Sequence, residues 1–288
     1  MLNTNGIIRK REIVECTRQG AATVRQLYGD NIVESTIVEK ITYISDGLNV
    51  NGYIARPRDK GVYPVLIWNR GGTEEHGALD DVRAHLILAS TAAWGYVVLA
   101  TQYRGNVGSD GVEDWGGDDV CDALNMIETA KNLDECDVSR IAVEGASRGG
   151  MTTYRALLEY ENFKCAIIHA GITDVPSLIK FKPHFGQFVD NRYSGLSDDE
   201  KANELRKISA VHFADRLPKQ TPILIMHGVE DNIVPIEQSE KLAAELERHG
   251  IPHEFIRIEG GTHVALKDGS YKEIDRRRKA WLEKYLQH

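Results

Sequence analysis

No stretch of this sequence reaches the roughly 18 consecutive apolar residues of a membrane span, so a membrane protein is not expected. The opening MLNTNGIIRK holds no apolar run of the kind a secretory leader carries. Cysteine is sparse: Cys16, Cys121, Cys136 and Cys165 make no CxxC pair and no regular framework, so free thiols and a reducing cytoplasm are expected. A basic surplus is missing too. The formal net charge is −8, which argues against a phosphate-tracking surface and a nucleic-acid partner. The basic runs at 9–11 and 276–278 fall in expected terminal helices, where a solvated face explains them. No HExxH occurs, Glu74-Glu75-His76 is an isolated acidic cluster, and neither GxxxxGK[ST] nor a GxGxxG after the first αβ strand is found. No metal and no nucleotide cofactor is therefore expected.

What remains is a chain of 288 residues, 42% hydrophobic and 27% charged, enough for one generous α/β domain and unlike a disordered protein. Residues 7–28 are read as a helix interrupted at Gly20, part of an N-terminal helical extension over 1–35. Alternation over 36–44 and 48–55, broken at Asp46-Gly47, reads as an antiparallel hairpin. Beyond residue 60 come short strand-like runs at 62–68, 96–101, 141–144, 165–169, 223–226 and 254–258. The first five are almost continuously apolar, as strands covered on both faces must be. Helical stretches at 80–93, 118–131, 149–160, 235–248 and 272–286 separate most of them, the rhythm of a mostly parallel sheet. Residues 171–220 break that rhythm with Phe181, Phe185, Phe188 and Tyr193, then a polar helix from 197 to about 207. A lid-like insertion is expected there, or else a surface excursion packed on its own aromatics.

The chemistry concentrates at Gly145-Ala146-Ser147-Arg148-Gly149, between an apolar strand and a helix. In that setting Gly-x-Ser-x-Gly puts a nucleophile on a strained turn, with glycines where strand and helix approach and free helix amides nearby. A serine hydroxyl needs a base, and the base needs a carboxylate to orient it. Asp231 and His263 each follow a strand, so all three candidates fall at the carboxyl edge of the sheet, where open α/β sheets place their sites. Glu230 competes with Asp231. His253 precedes its strand and is disfavoured, and His227 is read as a supporting or structural histidine. Val264-Ala265-Leu266 offers an apolar wall beside His263. An oxyanion would be held by the Arg148 N–H together with the N–H of Arg70 or Gly71 in Asn69-Arg70-Gly71-Gly72.

Four stretches resemble the catalytic domain of the prolyl oligopeptidase family and its single-domain esterase relatives: TQYRGNVGSDG at 101–111, GASRGG at 145–150, HGVEDNIVPIEQSEKL at 227–242 and GGTH at 260–263. The resemblance spans roughly 60–288. It implies an α/β-hydrolase fold, with a mostly parallel eight-stranded sheet and helices on both faces, over 36–288. It also implies Ser147 as nucleophile, Asp231 as acid and His263 as base, without a cofactor, and makes the stretch around Arg104-Gly105 a structural loop beside the pocket. Departures are Arg148 before the double glycine, Arg70 where His-Gly-Gly is often found, and only about 60 residues ahead of the core, too few for the family's β-propeller.

The first reading is therefore a carboxylesterase-like serine hydrolase acting on a small ester or amide. The alternatives are an S9-type peptidase of short peptides and a non-catalytic hydrolase-fold binding protein. Arg104, Phe181 and Phe185 are expected at the substrate pocket. Arg70, Arg104 and Arg148 either present a cation to a substrate carboxylate or pair internally with Asp110, Glu113, Asp114 or Asp118. Assembly into a homo-oligomer stays open.

Overall fold

The computed structural model describes residues 4–29, 31–264 and 271–286, apart from the side chains of Phe188 and Asn191. The strands are β1 (Ile8–Ile13), β2 (Thr36–Ser45), β3 (Leu48–Pro57), β4 (Tyr63–Asn69), β5 (Val97–Thr101), β6 (Cys136–Ala146), β7 (Cys165–His169), β8 (Ile223–Gly228) and β9 (His253–Ile258). The helices are α1 (Arg18–Tyr28), α2 (Ile32–Ser35), α3 (Asp81–Arg83), α4 (Ser90–Ala92), α5 (Asp119–Lys131), α6 (Arg148–Glu159), α7 (Val175–Phe181), α8 (His184–Arg192), α9 (Asp198–Lys207), α10 (Glu237–His249) and α11 (Lys272–Leu286). A π-helical stretch, Ala84–Ala89, joins α3 to α4.

The strands form one sheet in the order β1-β2-β3-β5-β4-β6-β7-β8-β9. Pairings from β5 through β9 are parallel, while β1, β2 and β3 add antiparallel neighbours. This is the α/β-hydrolase arrangement, with nine strands rather than the expected eight. The extra strand is β1. The helix expected over 7–28 starts only at Arg18, where the Thr17 side chain accepts the Gly20 amide at 3.0 Å. Residues 8–13 instead pair with β2, and Arg11 bonds Glu39 across the pair at 2.7 and 2.9 Å. An edge strand gains its backbone hydrogen bonds without burying an apolar face, so hydropathy patterning misses it.

The apolar strands alternate between two cores. Val65, Ile67, Val97, Leu99, Ile141, Val143 and Ile225 face α5, α6 and α10, whereas Leu66, Val98, Ala142, Ile167 and Leu224 face the helical run 81–92 and α11. Each face buries its side chains at roughly 25 cal/mol per Å² of apolar surface, so continuous hydrophobicity is what a central strand requires. Residues 171–220 build a third cluster: Ile172, Val175, Leu178, Val189, Leu205 and Ile208 pack with Trp115, Met151 and Val234, with Phe185 and Tyr193 against them. Within it α9 carries a capping box, with Ser197 and Glu200 each bonding the other's backbone. Among the described residues no helix is long and apolar enough to cross a membrane.

The strand order fixes where a site can lie. From β4 the chain crosses to β5 on one side, and from β5 to β6 on the other, so a crevice opens beyond the carboxyl ends of β4 and β6. The turn after β6 is drawn tight against the end of β4: a Cβ on Gly149 would lie 2.0 Å from the Asn69 carbonyl oxygen, and one on Gly145 would lie 2.1 Å from the Gly149 oxygen. Gly149→Ala is expected to cost about 3 kcal/mol, because backbone on both sides must move. Urea denaturation of the variant beside the parent checks this, and an unchanged midpoint would show that the contact can yield.

Candidate active site

Ser147 occupies the turn between β6 and α6 with φ 57° and ψ −122°. A side chain in that region stores roughly 1–3 kcal/mol of strain, sustained only where the surroundings over-determine it. Here the Ser147 amide donates to His169 O at 2.9 Å, and its carbonyl accepts the Gly150 amide at 3.0 Å and the Ile172 amide at 3.2 Å. Arg148, at the first position of α6, has an amide with no intrahelical acceptor. Gly71 lies alongside: a Cβ there would be 3.1 Å from Ser147 Cβ.

Asp231 and His263 meet because β8 and β9 are neighbours whose following loops touch. A Cβ on Gly228 would lie 2.2 Å from Thr262 O, and the Glu230 amide donates to Gly261 O at 2.9 Å. His263 Nδ1 donates to Asp231 Oδ2 at 2.7 Å, which leaves Nε2 as the ring's basic nitrogen. The other carboxylate oxygen accepts the amides of Ile233 and Val234 at 2.8 and 3.0 Å. His227 is a second imidazole on the same carboxylate. Its Nε2 faces two acceptors, Asp231 Oδ2 at 3.1 Å and Val234 O at 2.9 Å, so it carries the proton, and Nδ1 accepts from Ser239 Oγ at 2.7 Å. Burial alone would raise the Asp231 pKa, but the His227, His263 and Ile233 bonds hold it well below the usual carboxylate range. The competitors sit otherwise: the Glu230 amide donates to Gly261 O, and His253 Nδ1 bonds Ile251 O at the far end of β9.

Ser147, Arg148, Gly71 and His263 line one cavity of about 810 Å³. One side is apolar, formed by Trp115, Ile172, Phe185 and Val234 of the third cluster. The other side, between the 81–92 run and α11, presents Trp68, Ile87 and Ile274, with Leu27 and Tyr28 of α1. On this side a buried ion cluster adjoins the site. Arg278 bonds both oxygens of Glu144 at 2.7 and 3.0 Å and Asp275 Oδ1 at 2.7 Å, while His169 Nε2 lies 3.2 Å from Glu144. Burial pushes the Glu144 pKa up, but Arg278 and His169 outweigh it and bring the carboxyl down to about 2. The strand sequence carried the signal for this cluster, a lone carboxylate, Glu144, directly after the apolar run Ile141–Val143. Trp115, Ile172 and Val234 carried none, since apolar wall residues look like any core residue.

The three arginines are internally engaged. Arg148 pairs with Glu113 and Asp119 and donates to Gly72 O at 2.9 Å. Arg104 bonds Asp122 and Asp46 at 2.9 and 2.8 Å, reaching Asp118 only at 3.9 Å. Arg70, fully buried, finds carbonyls rather than carboxylates: Gln102 O, Glu74 O and Gly71 O. Asp110 instead accepts from Asn49, and Asp114 pairs with Arg192. Arg104 and Phe181, expected at the pocket, are not among the described residues lining the cavity. Arg104 is turned toward Asp122 by its ion pair, and Phe181, at the end of α7, is 47% exposed. Phe185 does line it. The Phe188 side chain, and Ala265 and Leu266 of the expected wall, lie outside the described residues.

The sequence model of the prolyl oligopeptidase family matches residues 83–288. The uncharacterized peptidase YtmA of Bacillus subtilis (strain 168) is 27% identical over 224 residues, 77% of this chain and 84% of that protein. The uncharacterized peptidase YuxL of the same organism is 28% identical over 281 residues, 91% of this chain but 42% of that protein. Among solved structures, an acylaminoacyl peptidase in complex with Z-Gly-Gly-Phe-chloromethyl ketone aligns with a TM-score of 0.69 at 26% identity, over 85% of this chain and 40% of that one. The chain thus spans less than half the length of the second relative and of that structure.

Two pH responses follow from the carboxylates. Asp231 stays ionised wherever an imidazole titrates, so the acid limb of log kcat/KM is expected to have slope 1, and slope 2 would mean the carboxylate titrates alongside. Glu144 and Asp231 have folded pKa values below their unfolded ones, so their stabilisation is complete above about pH 5 and declines as pH falls from about 4 toward 2. Urea midpoints across pH 3–6 are expected to fall on the acid side, with a shallower fall in Glu144→Gln.

Proposed function

The chain belongs to the prolyl oligopeptidase family of serine hydrolases, and on that premise we propose that it cleaves short peptides through an acyl-enzyme on Ser147. The observation that carries the reading is one cavity shared by a strained serine, two amides that meet no acceptor among the described residues, and a histidine bonded to a buried carboxylate. His263 takes the Ser147 proton as the hydroxyl attacks the scissile carbonyl. The Arg148 and Gly71 amides hold the resulting oxyanion. His263 then protonates the leaving amine and later activates the water that releases the acyl group.

Peptide cleavage displaces the carboxylesterase-like reading that came first from the sequence. Both relatives described above are named peptidases, and the aligned acylaminoacyl peptidase structure holds a peptidyl chloromethyl ketone. The two walls suit a substrate with apolar groups on both sides of the scissile bond: Trp115, Phe185 and Val234 for one, Trp68, Ile87 and Ile274 for the other. Residues 171–220, which give Ile172 and Phe185 to the cavity, are read as its roof, and α1 lends Leu27 and Tyr28 to a wall. The four free cysteines suit a reducing cytoplasm.

Ser147→Ala is expected to lower turnover of an activated ester by about 10⁴-fold or more, and to abolish labelling by a serine-directed phosphonate. Retention of most turnover would remove Ser147 from the mechanism. A panel pairing blocked peptidyl p-nitroanilides with p-nitrophenyl esters of the same acyl groups separates the two activities. Ester turnover with no anilide turnover would return the assignment to an esterase.

A further inference from the structure

The loop after β4 turns its carbonyls inward. Tyr103 Oη donates to Arg70 O at 3.2 Å, Arg70 Nη1 to Gly71 O at 3.1 Å, Arg148 Nη1 to Gly72 O at 2.9 Å and Arg70 Nη2 to Glu74 O at 2.8 Å. The chain contains no cis peptide among its described residues. In a trans peptide the C=O of one residue and the N–H of the next point in opposite directions. The bond from Tyr103 to Arg70 O therefore turns the Gly71 N–H away from Tyr103. That N–H donates to no described residue, and Gly71 lines the cavity against Ser147.

Tyr103 is itself held. It is fully buried at φ 65°, its amide donates to Thr101 Oγ1 at 3.0 Å, and two guanidiniums pack on its ring, Arg148 at 4.7 Å and Arg70 at 5.3 Å from the centroid. Burial raises its pKa to about 12, so the hydroxyl keeps its proton for Arg70 O. We propose that Tyr103 is a positioning residue of this active site, whose hydroxyl aims the Gly71 N–H at the oxyanion while Arg70 and Arg148 fix the ring. The proposal rests on the acyl-enzyme reading above and adds a residue that touches no substrate. Because the Gly71 donor matters only once charge develops on the carbonyl oxygen, its misdirection slows chemistry and leaves ground-state binding alone.

The test is Tyr103→Phe, which removes one oxygen and keeps the ring. Its kcat on a peptidyl p-nitroanilide is expected to fall about tenfold to a hundredfold, with KM within about twofold of the parent. Inhibition by a peptidyl trifluoromethyl ketone, which forms a tetrahedral adduct on the serine, should weaken by the same factor as kcat/KM. A lost melting temperature with unchanged kcat, a rise confined to KM, or undiminished ketone affinity would each overturn the proposal. Should Tyr103→Phe fail to fold, Arg148→Lys, which keeps the charge but withdraws the guanidinium plane from the Tyr103 ring, is expected to give kcat and ketone losses in the same direction, and their absence overturns it. Ser147→Ala keeps the two levels apart: turnover surviving there sinks the acyl-enzyme reading itself, whatever Tyr103→Phe does.

Discussion

The backbone of Gly149 rests on the carbonyl of Asn69 with no space for a side chain between them. This contact pins the first turn of α6 to the end of β4, and the rest of the site follows from it. To reach α6 from β6 in so short a distance, the chain must pass through a positive φ at Ser147. The turn then holds the serine at the crevice mouth, brings the Arg148 amide beside it, and sets Gly71 against the serine Cβ. The Arg148 side chain, directed the other way, reaches the same β4 loop at Gly72 O. One close approach of two backbones thus fixes a hydroxyl and two amides relative to one another.

Buried charge supports that arrangement. Arg148 is matched by Glu113 and Asp119, Arg104 by Asp122 and Asp46, Arg278 by Glu144 and Asp275. Each group ties chain segments distant in sequence, and each leaves little guanidinium free for a substrate. Removing one partner from such a group leaves an uncompensated charge in the interior, which costs more than the pair contributes over an apolar replacement. Arg70 differs: its hydrogen bonds go to carbonyls, and burial lowers its pKa. Its fork braces the loop after β4 against Gln102, the residue that follows β5.

Much of this was legible in the sequence. The central strands were readable because a strand covered on both faces is apolar throughout, and 165–169 is strand over that same range. Strand β6 begins at Cys136, earlier than expected, because its first residues are half exposed and lose the apolar signature. Edge strand β1 was invisible for the same reason, since charged residues satisfy an edge as well as apolar ones. That Ser147, Asp231 and His263 share one edge of the sheet was readable because each follows a strand. The partners of the arginines were not, because an ion pair depends on how loops lie together in space. Arg104 was drawn to the pocket by its neighbours in sequence, whereas Asp122 on α5 holds it elsewhere.

Arg278 has a consequence for how the chain reaches its native state. It bonds Glu144 and Thr91, partners separated from it by 134 and 187 residues. Until α11 has been synthesised and docked, the carboxylate of Glu144, three residues ahead of Ser147, does not have the Arg278 guanidinium to meet. Contacts of such long sequence separation are made late, after the loop-closure entropy of the intervening chain has been overcome. A nascent chain that has already formed β6 and its turn therefore carries an unneutralised charge at its centre. Docking of α11 is thus the step that neutralises the carboxylate beneath the serine turn.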